Sequence, residues 1–203
     1  MRKRTIATSA SLLVLFSMAT LAALAQGDTW YLDPPHSAAQ FSIRHMGISN
    51  VRGTFTKVSG VVKDPDDPSK ASVDVTIDAN SVDSRVQKRD DDLRSDKFFD
   101  VAKYPTITFK STKVEATGSG KLKVTGDLTI HGVTKQAVLD VDGPTPPMKD
   151  PKGNLHRGAS ATTTISRADY GMNTMAGMIG DSVQIQLDVE MINHEPGMPP
   201  PAK

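Results

Sequence analysis

The chain has 203 residues, 37% of them hydrophobic and 5% aromatic, with 24 basic against 23 acidic side chains and no cysteine. The missing cysteine excludes disulfides, thiol catalysis, cysteine-ligated metals and a lipidated cysteine, so the folded product must be held together by packing. Near-neutral charge and few aromatic rings offer neither a basic surface for a phosphate backbone nor stacking platforms for single strands, and nucleic acid is not an expected partner.

Arg2, Lys3 and Arg4 precede a mostly apolar run from Ile6 to Leu24, and Ala23-Leu24-Ala25 lies ahead of Gln26. These are the basic region, apolar region and small-residue cleavage pattern of an export signal. Residues 1–25 are therefore expected to be a signal peptide that sends the protein to the periplasm or outside the cell. The run approaches the roughly 20 residues that span a bilayer, but the cleavage pattern and the lack of a basic flank after Ala25 favour its removal, leaving no stable membrane span. Cleavage takes the formal charge from +1 to −2, because three basic residues and no acidic ones leave. Residues 26–195 then form one domain with room for a sizeable core, and the tail 196–203 is expected to be disordered.

The body of the chain reads as β-strands. In "HSAAQFSIRHMG" (36–47), Ala39, Phe41, Ile43 and His45 share one face of an extended segment, because side chains two apart point the same way. Val73, Val75 and Ile77 alternate with polar residues, as do Ile107 and Phe109, Leu122 and Val124, Leu128 and Ile130, the Ala137–Leu139–Val141 row, and the long row Val183 to Met191. Gly53, Gly60, Gly126, Gly132 and Gly143 mark bulges, bends or turns between and within them. Short connections make antiparallel neighbours the economical topology. About eight such strands can stack as two sheets or close into a barrel, and periodicity does not choose between these.

One segment departs from this pattern. "SRVQKRDDDLRSDKFFDVAKYP" (84–105) carries Ser84 and Gln87 at capping-box spacing and Val86 and Leu93 seven apart, and ends at Pro105. It predicts one or two short helices with a narrow apolar stripe interrupted by Arg89 and Asp90. "YGMNTMAGMIGD" (170–181) sets methionines among glycines and predicts an adaptable apolar loop.

Recognised catalytic and metal-binding patterns are missing. The five histidines, His36, His45, His131, His156 and His194, match no ligand spacing, so no metal is expected. Asp33, His36 and Ser37 have the residue types of a hydrolase triad, but no G-x-S-x-G is present, and Asp33-Pro34-Pro35 reads as a turn. "TGSGK" (117–121) lacks the first glycine and the final hydroxyl of a phosphate loop and reads as a hairpin turn. The aspartates of 64–67 lack calcium-loop spacing and read as a charged surface turn.

Five segments in order, "YLDPPHSAAQFSIRHMGISNVRGTF", "SVDSRVQKRDDDLRSDKFFDVAKYPTITFKST", "VTGDLTIHGVTKQAVLDV", "SRADYGM" and "IGDSVQIQLDVE", resemble the successive motifs of YceI-like exported proteins. The resemblance runs from about Thr29 to Glu190, with the Met/Gly-rich 172–180 loop as its departure. It implies an all-β, lipocalin-like extended antiparallel β-barrel of about eight strands with one or two short helices. It also implies a polyisoprenoid or other long-chain lipid as ligand, no cofactor and no catalysis. In such a barrel Ala39, Phe41, Ile43 and His45, then Phe55, Val75, Ile77, Ile107, Phe109, Leu128, Ile130, Ile185 and Leu187, would line the lumen, with His45 near a mouth. Asp90 would form a structural charge pair with Arg167, Arg89 being the other candidate partner. A homodimer is compatible with this reading. The alternative is a periplasmic hydrolase or isomerase on a β-barrel with His45 or His36 as its base, and a third is an exported structural protein with a filled core.

Overall fold

Alternating apolar and polar residues build one twelve-stranded antiparallel sheet that curls back on itself. The computed structural model describes residues 28–194 and residue 197; the expected signal peptide, and all but one residue of the expected tail, lie outside the described residues. The strands are β1 (Thr29–Leu32), β2 (Ala38–His45), β3 (Ser49–Phe55), β4 (Val58–Lys63), β5 (Ser72–Asp78), β6 (Val82–Asp83), β7 (Thr106–Gly118), β8 (Lys121–Ile130), β9 (Val133–Asp142), β10 (Met148–Lys149), β11 (Leu155–Ser166) and β12 (Ile179–Ile192). One α-helix, α1 (Gln87–Arg94), is inserted between β6 and β7. No helix among the described residues is long and apolar enough to cross a membrane.

Eight strands close the barrel in the order β1, β4, β5, β7, β8, β9, β11, β12, with β12 returning to β1. The long seam is β11 against β12, paired from His156↔Ile192 to Ser166↔Ser182. The other edge of β12 serves two partners. Tyr31 and Leu32 pair with Ile192 and Met191, and further along β2 pairs from Asp188↔Ala38 to Ile179↔His45. Between them the chain makes a short 3-10 turn at Pro34–His36, where two prolines have no N–H to give to a ladder. β2, β3 and β6 thus extend the wall beyond the closed ring.

Two inward glycines make room for rings. Gly53 of β3 faces Phe41 of β2, and the phenyl ring lies over the bare backbone. At Gly126 of β8, an added Cβ would sit 2.6 Å from the Phe109 ring and 2.5 Å from the Lys110 carbonyl oxygen. The β8–β9 connection is a two-residue turn at His131 (φ 51°) and Gly132 (φ 73°), paired Ile130↔Val133, and positive φ at both positions matches the twist of the strands they join.

The 84–105 segment forms one helix, and its start differs from the capping-box expectation. Val86 is the N-cap residue and supplies no side-chain cap. Ser84 is instead held by Asp90, whose Oδ1 accepts from both the Ser84 backbone N–H and its hydroxyl. Arg94 ties the helix to the wall by donating to the carbonyls of Asn80 and Val82 at 2.9 and 2.7 Å. Beyond the helix, Phe99 packs edge-on against Phe55 and Tyr104 packs edge-on against His131. The segment therefore reaches from β3 to the β8–β9 turn and covers that side of the interior.

Because Gly126 is blocked by backbone as well as by a ring, Gly126→Ala should lower unfolding stability by about 1–3 kcal/mol through overpacking, read as a lower urea midpoint with unchanged slope. An unchanged midpoint would show that the β7–β8 wall yields more easily than this geometry allows.

Candidate functional site

The interior is hollow. An apolar cavity of about 470 Å³ runs inside the barrel, within the usual size range of small-molecule sites and equal to the liquid volume of roughly 15 water molecules. Its wall comes from nearly every strand, because on each strand the apolar set occupies the inward parity.

Every residue that the sequence placed on a lumen wall is found on the wall of this cavity. Ala39, Phe41, Ile43 and His45 come from β2, Phe55 from β3, Val75 and Ile77 from β5, Ile107 and Phe109 from β7, Leu128 and Ile130 from β8, and Ile185 and Leu187 from β12. The sequence reading missed the contribution of β11, which supplies Ala159, Ala161, Thr163 and Ile165, and that of the helical segment, which supplies Leu93, Phe98 and Phe99. In β11 small residues and threonines carry the alternation, so no strong hydrophobic period marks it. Phe98 and Phe99 follow the helix in turns, where no period operates.

The two ends of the barrel differ. At one, Trp30 is 2% exposed and Arg157 6%, and the guanidinium stacks on the indole with its carbon 4.8 Å from the ring centroid. Arg157 also makes a two-pronged ion pair to Asp66, at 2.9 and 2.6 Å, so the 64–67 turn is a clamp as well as a charged surface turn. Neither Trp30 nor Arg157 lines the cavity; together they floor it. At the other end the wall reaches the surface. Met175 lines the cavity and is 47% exposed, and around it stand Met46, Ile48 and Met178, also exposed. Arg44 and His45 are part of the same wall, beside Gly180 and Ile179. This is the open mouth.

The expected Asp90–Arg167 pair is not formed. Both groups are buried, but each is satisfied elsewhere, as buried charges must be. Asp90 accepts two hydrogen bonds from Ser84, and the Ser84 hydroxyl in turn accepts from Arg89 Nε at 2.7 Å, so Arg89 reaches Asp90 only through Ser84. Arg167 spends its guanidinium on backbone carbonyls: Nε donates to Gly180 at 2.9 Å, Nη2 to Ile179 at 3.1 Å, and Nη1 to Thr174 at 2.9 Å and to Met172. It thereby ties the 172–180 loop to the end of β11. The Met46 N–H donates to the Met178 carbonyl at 2.6 Å and fastens the loop to the β2–β3 turn.

The candidate catalytic groups are not assembled. Ser37 is buried, accepting from the Glu190 N–H at 3.2 Å and donating to the Glu190 carbonyl at 3.3 Å. His36 projects from the outer wall with Nδ1 bonded to Asp33 at 2.6 Å. That bond, and then the negative charges of Asp33 and Glu190, raise its pKa above the ordinary histidine value. His45 lines the cavity, yet among the described residues it has no hydrogen bond to a carboxylate or hydroxyl that would orient it as a base.

A closed antiparallel barrel with an apolar lumen whose wall reaches the surface at Met175 is lipocalin-like. The chain belongs to the YceI-like family, whose domain matches residues 30–191. A UPF0312 protein of Vibrio vulnificus is 36% identical over 193 residues, covering 95% of this chain and 99% of its own. The YCEI protein of Campylobacter jejuni is 36% identical and superposes with a TM-score of 0.66 over 75% of this chain and 91% of its own. BcnA of Burkholderia cenocepacia is 25% identical, with a TM-score of 0.67 over 78% and 98%. A polyisoprenoid binding domain from Saccharophagus degradans, implicated in plant cell wall breakdown, shares the fold at 19% identity, with a TM-score of 0.60 over 81% and 98%.

The fork of Arg167 cannot be copied by a lysine, which concentrates its donors at one point. Arg167→Lys should cost about 2–4 kcal/mol, given that hydrogen bonds to charged groups contribute roughly 1.5–3 kcal/mol each, and should speed amide exchange across 172–180. Unchanged protection there would mean that the loop holds itself in place.

Proposed function

We propose that the protein is an exported carrier that holds a polyisoprenoid or similar long-chain amphiphile in its lumen, chain inward and polar head toward the mouth at His45. The observation that carries this reading is the continuous apolar wall around a hollow that reaches the surface at Met175. Water inside such a wall finds few hydrogen-bond partners, so an apolar guest displaces it at a gain.

The energetics favour long guests. Each buried CH2 contributes about 0.8 kcal/mol, so a five-carbon isoprene unit gains on the order of 4 kcal/mol, while association costs roughly 4–15 kcal/mol. One or two units barely offset that cost; several leave a useful surplus. The polar and charged groups on the wall, Arg44, His45 and Arg167 near Ile179 and Arg89 and Asp92 on α1, suit a polar head more than a tail. The same fold serves as a polyisoprenoid binding domain in Saccharophagus degradans, and the export-signal pattern of residues 1–25 supports a carrier that works in the periplasm or outside the cell. Its role is binding and not catalysis, in keeping with the unassembled candidate bases.

Organic extraction of the purified protein followed by mass spectrometry should recover one long-chain compound in stoichiometric amount. Phe41→Asp, checked for folding by circular dichroism, should abolish retention by placing a carboxylate on the apolar wall, whereas His45→Ala should only weaken it. Equal retention by wild type and Phe41→Asp would contradict the reading, and so would substrate turnover that disappears in His45→Ala.

A further inference from the structure

On the outer wall, away from the cavity, the fold gathers a second set of functional groups. Glu190 lies on β12 between Val189 and Met191, both of which line the cavity, so its side chain points to the opposite face. There it meets the Asp33–His36 turn, and one ligand atom each from Asp33, His36 and Glu190 lies within 4.8 Å of the other two. His156 of β11 approaches from the far side, with Nδ1 2.7 Å from Glu190 Oε1 and Nε2 3.4 Å from Asp150 Oδ2. We propose that Asp33, His36 and Glu190 form a binding site for a divalent transition-metal ion, with His156 holding Glu190 in place.

The electrostatics favour a cation. Three carboxylates, Asp33, Asp150 and Glu190, converge here, and among the described residues no lysine or arginine side chain bonds to any of them. Among the described residues the two imidazoles are the cluster's only bonded partners of basic character, so three acidic side chains stand together with no permanently charged base bonded to them. The neighbouring Arg157 is turned inward and engaged by Asp66.

The geometry is prepared by backbone. The Asp33 N–H donates to the Glu190 carbonyl at 2.8 Å, and Ser37 exchanges hydrogen bonds with the Glu190 N–H and carbonyl. Two prolines fix the intervening turn, and the His36 N–H closes it on the Asp33 carbonyl at 3.1 Å. The donors therefore sit on rigid elements on either side of the ladder. A tetrahedral ion with bonds of about 2.0–2.2 Å needs donors roughly 3.3 Å apart, which small side-chain rotations from the present spacing supply. The ion would take the place between His36 Nδ1 and Asp33 Oδ2 that a hydrogen bond now spans. One imidazole and two carboxylates suit zinc, copper or nickel better than calcium or magnesium. Three protein donors also leave a coordination position open to water or an outside ligand. The His156 bond to Glu190 and the Asp150 carboxylate behind it form the kind of supporting chain that orients metal-binding side chains.

The test uses untagged protein, stripped with chelator and titrated with zinc chloride by calorimetry at neutral pH, with cobalt chloride as a spectroscopic stand-in. The expected result is saturable binding of one ion per chain and, with cobalt, visible absorption bands of a low-symmetry site. His36→Ala and the near-isosteric Glu190→Gln should each weaken binding by more than about tenfold and remove the cobalt bands, and His156→Ala should weaken it about tenfold. His45→Ala, on the lumen side, should bind zinc as the wild type does. No saturable binding by the wild type would overturn the proposal, as would full retention in both His36→Ala and Glu190→Gln, or loss of binding in His45→Ala.

Discussion

The hydrogen-bonded ladder between β11 and β12 turns a sheet into a container. Without it the strands form one open run from β10 to β6 with an apolar face exposed along its length. Eleven consecutive residue pairs join the two strands, and their inward side chains, Ala159, Ala161, Ile165, Val183, Ile185, Leu187 and Val189, form a continuous part of the cavity wall. Closure and lining are thus one structural event: the pairing that satisfies backbone polar groups also fixes which parity faces inward. The far edge of β12 then carries β1 and β2 in succession, so a single strand connects floor, wall and mouth.

Two buried arginines mark the ends of the hollow, and they use the same group in different ways. Arg157 floors the barrel through a ring and a carboxylate, Trp30 and Asp66. Arg167 sets the mouth through four backbone carbonyls of the 172–180 loop. In both cases a planar, permanently charged fork organises one end of the hollow. The apolar middle needs no such device, because Phe41 over Gly53 and Phe109 over Gly126 fill the lining by shape alone. A guest chain would lie against hydrocarbon along the middle and meet fixed polar groups at the mouth.

Much of the fold was legible because period-2 alternation is a local signal. Val75 and Ile77, Ile107 and Phe109, and Ile185 and Leu187 all lie on the strands and faces that their spacing predicts. β11 was illegible because Gly158, Ala159, Ser160, Ala161 and three threonines earn their places by pairing, which the residue types do not announce. The partner of Asp90 was misread for a related reason. Its charge drew attention to the arginines, whereas a hydroxyl and an N–H six residues away satisfy it. The cluster of Asp33, His36, Glu190 and His156 could not be read from spacing, since only Asp33 and His36 are neighbours in sequence and Glu190 and His156 come from two further segments brought beside them by strand register. Closure into a barrel is likewise a property of the whole strand order, and only the family resemblance pointed to it beforehand.

If the lumen takes up the chain of its guest, binding must remove apolar surface from water in proportion to chain length, and heat capacity reads this quantity directly. Calorimetric titration with isoprenoid alcohols of increasing length, repeated over a range of temperatures, should give a heat-capacity change that is negative and grows with each added isoprene unit until the cavity is full. A heat-capacity change near zero, or one indifferent to chain length, would place the guest outside the barrel.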